Sequence, residues 1–163
     1  MYTVNRILVP MDFTEISRAA LSVAMQFADR HEAKLYLLHV EKELAVDMKR
    51  RIVDAPRGNV IEENVNFHEK HLQEALALEH ERAEKAGKKL KDTETELIVS
   101  GGSWLDIALQ LVTEEEIDLV VSGTHGPKGL SGFLLGSVTE QLVHKAPCSV
   151  FVVKADAYPL SGE

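Results

Sequence analysis

Residues 117–122 read IDLVVS, and residues 123–137 continue as GTHGPKGLSGFLLGS. A short apolar run stops at Ser122. Five glycines (Gly123, Gly126, Gly129, Gly132 and Gly136) then crowd fourteen residues, and Ser137-Val138-Thr139-Glu140 follows as Ser-x-x-Glu, the pattern that opens a helix. An unbroken apolar run of this length fits a strand buried on both faces, as in a parallel sheet covered by helices. A strand-to-helix connection needs one or two glycines rather than five. Bare backbone lets successive N–H groups approach a ligand and point one way, and a helix N-terminus adds unpaired donors with about half a positive charge. The segment therefore suits a phosphate or another anion, with Ser137 and Thr139 adding hydroxyls and Lys128 a loop charge. The plainer alternative is a tight turn closed by an ordinary cap. The spacing is neither a Walker A loop nor Gly-x-Gly-x-x-Gly.

Four more runs share the strand character: 6–10 (RILVP), 34–40 (KLYLLHV), 97–100 (LIVS) and 149–153 (SVFVV). Helical patterns lie between them. Over 15–29, Ile16, Ala20, Val23, Ala24 and Phe27 recur at helical spacing behind Thr14, an N-cap candidate. A charged helix is expected over about 66–85, with Leu72, Ala75, Leu76, Ala83 and Ala86 on one stripe and Gly87 as its stop. A third starts after Ser103, and a fourth starts near Ser137 and ends before Pro147. Alternating strands and helices predict a doubly wound α/β domain: a five-stranded parallel sheet with helices on both faces. Ligands of such sheets collect beyond the carboxyl ends of the strands. Residues 43–63 interrupt the alternation and read as an insertion. The domain is expected to span 1–154, with 155–163 as a flexible tail.

The chain has 163 residues, a formal net charge of −8 and a single cysteine, Cys148. The acidic balance argues against nucleic acid as a partner. One cysteine makes no intrachain disulfide, and its place ahead of SVFVV fits a buried, inert thiol. No leader-like or membrane-length apolar stretch stands out, so a cytoplasmic location and no membrane partner are expected.

Gly123-x2-Gly126-x9-Gly136-Ser137 matches in full the G-x2-G-x9-G-[S/T] signature of the universal stress protein family. Ile7-Leu8-Val9-Pro10-Met11-Asp12 resembles that family's first strand and loop, Leu37-Leu38-His39-Val40 its second strand, and 146–153 (APCSVFVV) its last. The resemblance covers about residues 3–154. It implies a Rossmann-like domain of the adenine nucleotide alpha hydrolase type that binds ATP with Mg²⁺ and pairs as a homodimer through the last strand, 149–153. Carried onto this sequence, it places adenine against the backbone at Met11 and Val40, next to Pro10. Asp12 then faces the ribose or a bridging cation, and Gly123, Gly126, Gly136, Ser137, Val138 and Thr139 hold ribose and phosphates. In the family Gly-Ala often precedes the second strand, whereas this chain has Glu32-Ala33.

Other candidates are weaker. His125 lies within the glycine loop and is read as facing outward. His68, His71 and His80 share one charged helix. The next positions on the face of His68 and His71 hold Leu72 and Ala75, which coordinate nothing, so a solvated face is expected and no metal cluster. No Ser/His/Asp set or close carboxylate pair points to hydrolysis. The functional expectation is a nucleotide-dependent stress-response binding module. The alternatives are a nucleotide-free dimeric interaction protein of the same fold and a slow Mg²⁺-dependent ATPase.

Overall fold

Val9 stands opposite Leu37 in a parallel pair, and Leu8 has Tyr36 on one side and Val120 on the other. Around these pairs the computed structural model builds one sheet. It describes residues 3–42, 50–51, 60–124 and 137–154, without the side chains of 50, 51, 60–65 and 137. The elements are β1 (Arg6–Pro10), α1 (Glu15–His31), β2 (Lys34–Glu41), β3 (Arg50–Arg51), α2 (Val60–Lys85), β4 (Thr95–Gly101), α3 (Trp104–Glu114), β5 (Leu119–Gly123), α4 (Ser137–Lys145) and β6 (Ser149–Val153). Their order across the sheet is β3-β4-β2-β1-β5-β6.

The five expected strands are all present and run parallel. A sixth, β3, is an addition: two residues of the 43–63 insertion pair antiparallel with Val99 and Ile98 on the outer edge of β4. The rest of that insertion, apart from the start of α2, lies outside the described residues, as does the 155–163 tail. Helix α2 begins at Val60, earlier than the 66 expected from the sequence.

The apolar runs are explained by double coverage. Ile7, Val9, Leu35, Leu37, Val99 and Val121 lie under α1 and α2 with Ala20, Ala24, Leu72 and Ala75. Leu8, Tyr36, Leu38, Ile98 and Val120 lie under α3 and α4 with Ala108, Leu111 and Leu142. Each fully buried aliphatic side chain contributes about 1.5–3 kcal/mol relative to exposure. Among the described residues strand β6 pairs on one flank only, and its burial alternates, leaving Phe151 42% exposed.

The helix ends follow local rules. The Thr14 hydroxyl accepts from Ser17 N–H at 3.3 Å, and Ser103 accepts from Asp106 N–H at 3.5 Å. Helix α2 stops at Gly87, whose φ of 73° is left-handed, with Lys88 N–H reaching back to the Ala83 carbonyl at 2.8 Å. Ala86 falls past the helix end and is exposed. At the end of α1 the left-handed position is held by Glu32, φ 56°, where glycine would sit without strain.

Chain direction fixes where a ligand would gather. From β1 the chain moves outward to β2 and β4, and β5 and β6 then fill the opposite side. The order reverses between β1 and β5, so the crevice beyond their carboxyl ends is the switch point.

Candidate functional site

Two loops flank that switch point. On the β1 side, Pro10 ends the strand, and Met11 is fully buried with its N–H bonded to the Leu38 carbonyl at 2.7 Å. Asp12 follows, and its Oδ1 accepts from the Thr14 N–H at 3.1 Å and from the Thr14 hydroxyl. The carboxylate thus braces the residue that caps α1. Phe13, between them, has a left-handed φ of 63°, a conformation costing an ordinary residue about 1 kcal/mol.

On the β5 side, the Thr139 hydroxyl of α4 donates to the Gly123 carbonyl at 2.7 Å and stands 2.9 Å from the Ser122 hydroxyl. Both side chains are buried. These bonds fasten the first turn of α4 to the end of β5, so the helix N-terminus faces the crevice that the strand opens. A Cβ on Gly123 would collide with Cγ2 of Ile16 on α1. This glycine therefore has a packing reason of its own. Val138 is half-buried in the same turn, and Val40 is buried near the end of β2 on the α3/α4 face. Of the expected set, Pro10, Met11, Asp12, Gly123, Val138 and Thr139 flank the switch point, with Val40 one strand away. Gly126, Gly136, His125 and Lys128 lie outside the described residues, as does the Ser137 side chain.

A second group, not expected from the sequence, sits at the carboxyl end of β2 on the α1/α2 side. His39 is 6% exposed. Its Nδ1 lies 2.7 Å from the Met11 carbonyl, an acceptor only, so Nδ1 carries the hydrogen. Glu41, two residues on, points the same way, with Oε2 4.0 Å from His39 Nε2. From α2, the ring of His68 lies 4.6 Å from that of His39, and Phe13 packs 4.6 Å from His39 and 5.6 Å from His71. Trp104 meets His39 edge-on at 5.7 Å. Burial lowers the pKa of both His39 and His68 from its ordinary value, which favours the neutral rings. The expected solvated face is corrected here: His68 and His71 turn against Phe13 and Phe67, and His80 is half-buried. The partners come from β2, outside the helix on which they were sought. The signal was present as His39-x-Glu41, two side chains on one face at a strand's carboxyl end.

Phe13, His39, Glu41, His68 and His71 line a pocket of about 510 Å³ that also includes Asp12, Arg18 and Glu74. A larger one, about 620 Å³, opens at the amino ends of β1 and β2. Its cations are already matched, Lys34 by Glu94 and Glu96 and Arg6 by Glu116.

The model of the universal stress protein family matches residues 3–154. The chain belongs to that family. Universal stress protein YxiE of Bacillus subtilis is 31% identical over 152 residues, covering 92% of this chain and 99% of the relative. Among solved structures, universal stress protein UspA from Lactobacillus plantarum superposes with a TM-score of 0.66 at 25% identity, covering 93% of this chain and 98% of that one. The hypothetical protein MJ0577 gives 0.63 at 28%, covering 94% and 96%. A universal stress protein solved in complex with cAMP shares the fold at 23% identity and a TM-score of 0.61, covering 93% and 98%. Among the described residues of this universal stress protein, no helix is long and apolar enough to cross a membrane.

Proposed function

We propose that this universal stress protein binds ATP with Mg²⁺ at the β1/β5 switch point and acts in the cytoplasm as a nucleotide-dependent regulatory module. The observation that carries the reading is the bond of Thr139 to the Gly123 carbonyl, which sets the N-terminus of α4 beside the end of β5, next to the Asp12 loop. A helix N-terminus at a switch point is where phosphate is best received. Adenine would rest against the backbone at Met11 and Val40. The Asp12 oxygen not bonded to Thr14 would meet ribose or the cation, and Gly126, Gly136 and Ser137 would complete the phosphate cradle. Backbone donors, hydroxyls and one carboxylate hold phosphate without supplying a strong general base, so turnover would be slow. Strand β6, with an open flank and an exposed Phe151, is the edge through which two copies would pair.

The test is to denature purified protein, assay the supernatant for nucleotide, and titrate stripped protein with Mg²⁺-ATP calorimetrically, with ADP and cAMP as competitors. Gly126→Val is the probe variant, since Gly123 answers to Ile16 as well. Retained ATP, or micromolar affinity (roughly −8 kcal/mol) lost in the variant, supports the reading. No nucleotide and no binding heat overturn it.

A further inference from the structure

The pocket beyond β2 holds donors that the nucleotide reading does not use. Nε2 of His39 and Nδ1 of His68 are both buried, and neither has a hydrogen-bond partner among the described residues. The geometry points to a divalent transition-metal site of the kind that suits Zn²⁺, held by Nε2 of His39, Nδ1 of His68 and the carboxylate of Glu41.

Three observations converge on it. First, the tautomer of His39 is fixed. The Met11 carbonyl takes the Nδ1 hydrogen, so a neutral ring presents its lone pair at Nε2, toward Glu41 and His68. A backbone carbonyl behind a ligating imidazole is the usual outer support of a metal site. Second, one donor atom from each of the three residues lies within 4.8 Å of the others, and His39 Nε2 is 4.0 Å from Glu41 Oε2. Ligands bound at zinc distances stand roughly 3.4 Å apart in a tetrahedron, and the Glu41 side chain, 39% exposed, has rotamers with which to close the difference. Third, two imidazoles with one carboxylate suit Zn²⁺ and its neighbours. Mg²⁺ prefers all-oxygen sets, and soft copper(I) prefers thiolate or thioether.

The surroundings fit as well. Phe13 and Trp104 pack on His39 and limit its rotation, Phe13 doing so from a left-handed backbone position. Among the described residues the pocket keeps an open side, which leaves the fourth position to water or to a ligand. The sequence of β2 puts His39 and Glu41 on one face, and α2 crosses with His68 above them. His71 lines the pocket outside this set of donors. The site does not depend on ATP and is tested without it.

The experiment uses the full chain, stripped with a chelator and nucleotide-free. It is titrated with Zn²⁺ by calorimetry and with Co²⁺ by visible absorption, which reports coordination number and ligand type. The expected result is saturable binding of one metal per chain, with a higher melting temperature. His68→Gln, at a half-buried position of α2, should weaken binding by at least about 100-fold, the upper end of what losing a mere supporting group costs. His39→Asn should do the same while keeping a donor at the Nδ1 position for Met11, so the chain still folds. His71→Ala, outside the donor set, should bind like wild type. Absence of saturable binding, or binding that survives both His68→Gln and His39→Asn, overturns the proposal. Neither result bears on whether ATP binds.

Discussion

The Nδ1–H of His39 is bonded to the main-chain carbonyl of Met11 at 2.7 Å, across 28 residues of chain. This bond, with that from Met11 N–H to the Leu38 carbonyl, joins the end of β2 to the loop that carries Asp12 and Phe13. His39→Leu leaves that carbonyl without its partner, which costs about 1–3 kcal/mol. At roughly 2–4 °C per kcal/mol for a chain of this size, thermal melts should show a clear loss. His39→Asn, which restores a donor, should recover much of it.

Gly123→Ala drives a methyl into Ile16. Overpacking of this kind costs about 1–3 kcal/mol. The combination with Ile16→Ala should melt higher than the sum of the two single changes predicts, because the second makes room for the first. Strict additivity in a double-mutant cycle would show that the collision relaxes by another route.

Glu32 ends α1 in the left-handed region. Glu32→Gly should raise stability by about 1 kcal/mol, the cost of placing a Cβ there. Its contact with Lys91, 3.3 Å between two exposed side chains, offsets little of this. Denaturant midpoints of the two proteins decide the sign.

Thr139→Val keeps the shape of the side chain and removes the hydroxyl that serves both Gly123 and Ser122. A loss of about 1 kcal/mol follows from the hydrogen bonds given up by the Gly123 carbonyl and the Ser122 hydroxyl, together with weaker nucleotide retention if α4 receives phosphate. Thr139→Ser should hold both properties near wild type. Equal damage from serine and valine would place the effect in the methyl group.

Cys148 is half-buried, and burial, seconded by the charge of Asp118, raises its thiol above the ordinary value. A raised pKa means less thiolate at a given pH, so alkylation of the native protein should be slower than that of a free thiol. The rate should climb as pH rises beyond the usual thiol range. Denatured protein should lose the difference.

Much of the fold was legible because its strands are buried on both faces, which leaves unbroken apolar runs such as Leu35–Leu38 that local reading detects. Strand β3 was not legible: Arg50 and Arg51 carry no apolar pattern, and their pairing is set by the edge of β4. The early start of α2 was missed for a related reason. The glycine segment and Asp12 are contiguous motifs, visible at once. The histidine group is not, since His39 and His68 belong to elements separated by the 43–63 insertion and meet only after α2 packs on the sheet. A search along one helix finds neighbours three and four residues apart and stops there.

The collision between Gly123 and Ile16 also changes what a glycine at the head of that signature can report. Any descendant that keeps a branched residue at 16 must keep a bare residue at 123, whether or not its loop has held a nucleotide for generations. The first glycine is therefore a record of how α1 sits against β5. On the nucleotide reading, a lineage's history of ligand use would be written instead at 126 and 136, and comparing how fast 16, 123, 126 and 136 drift apart would separate inherited architecture from retained chemistry.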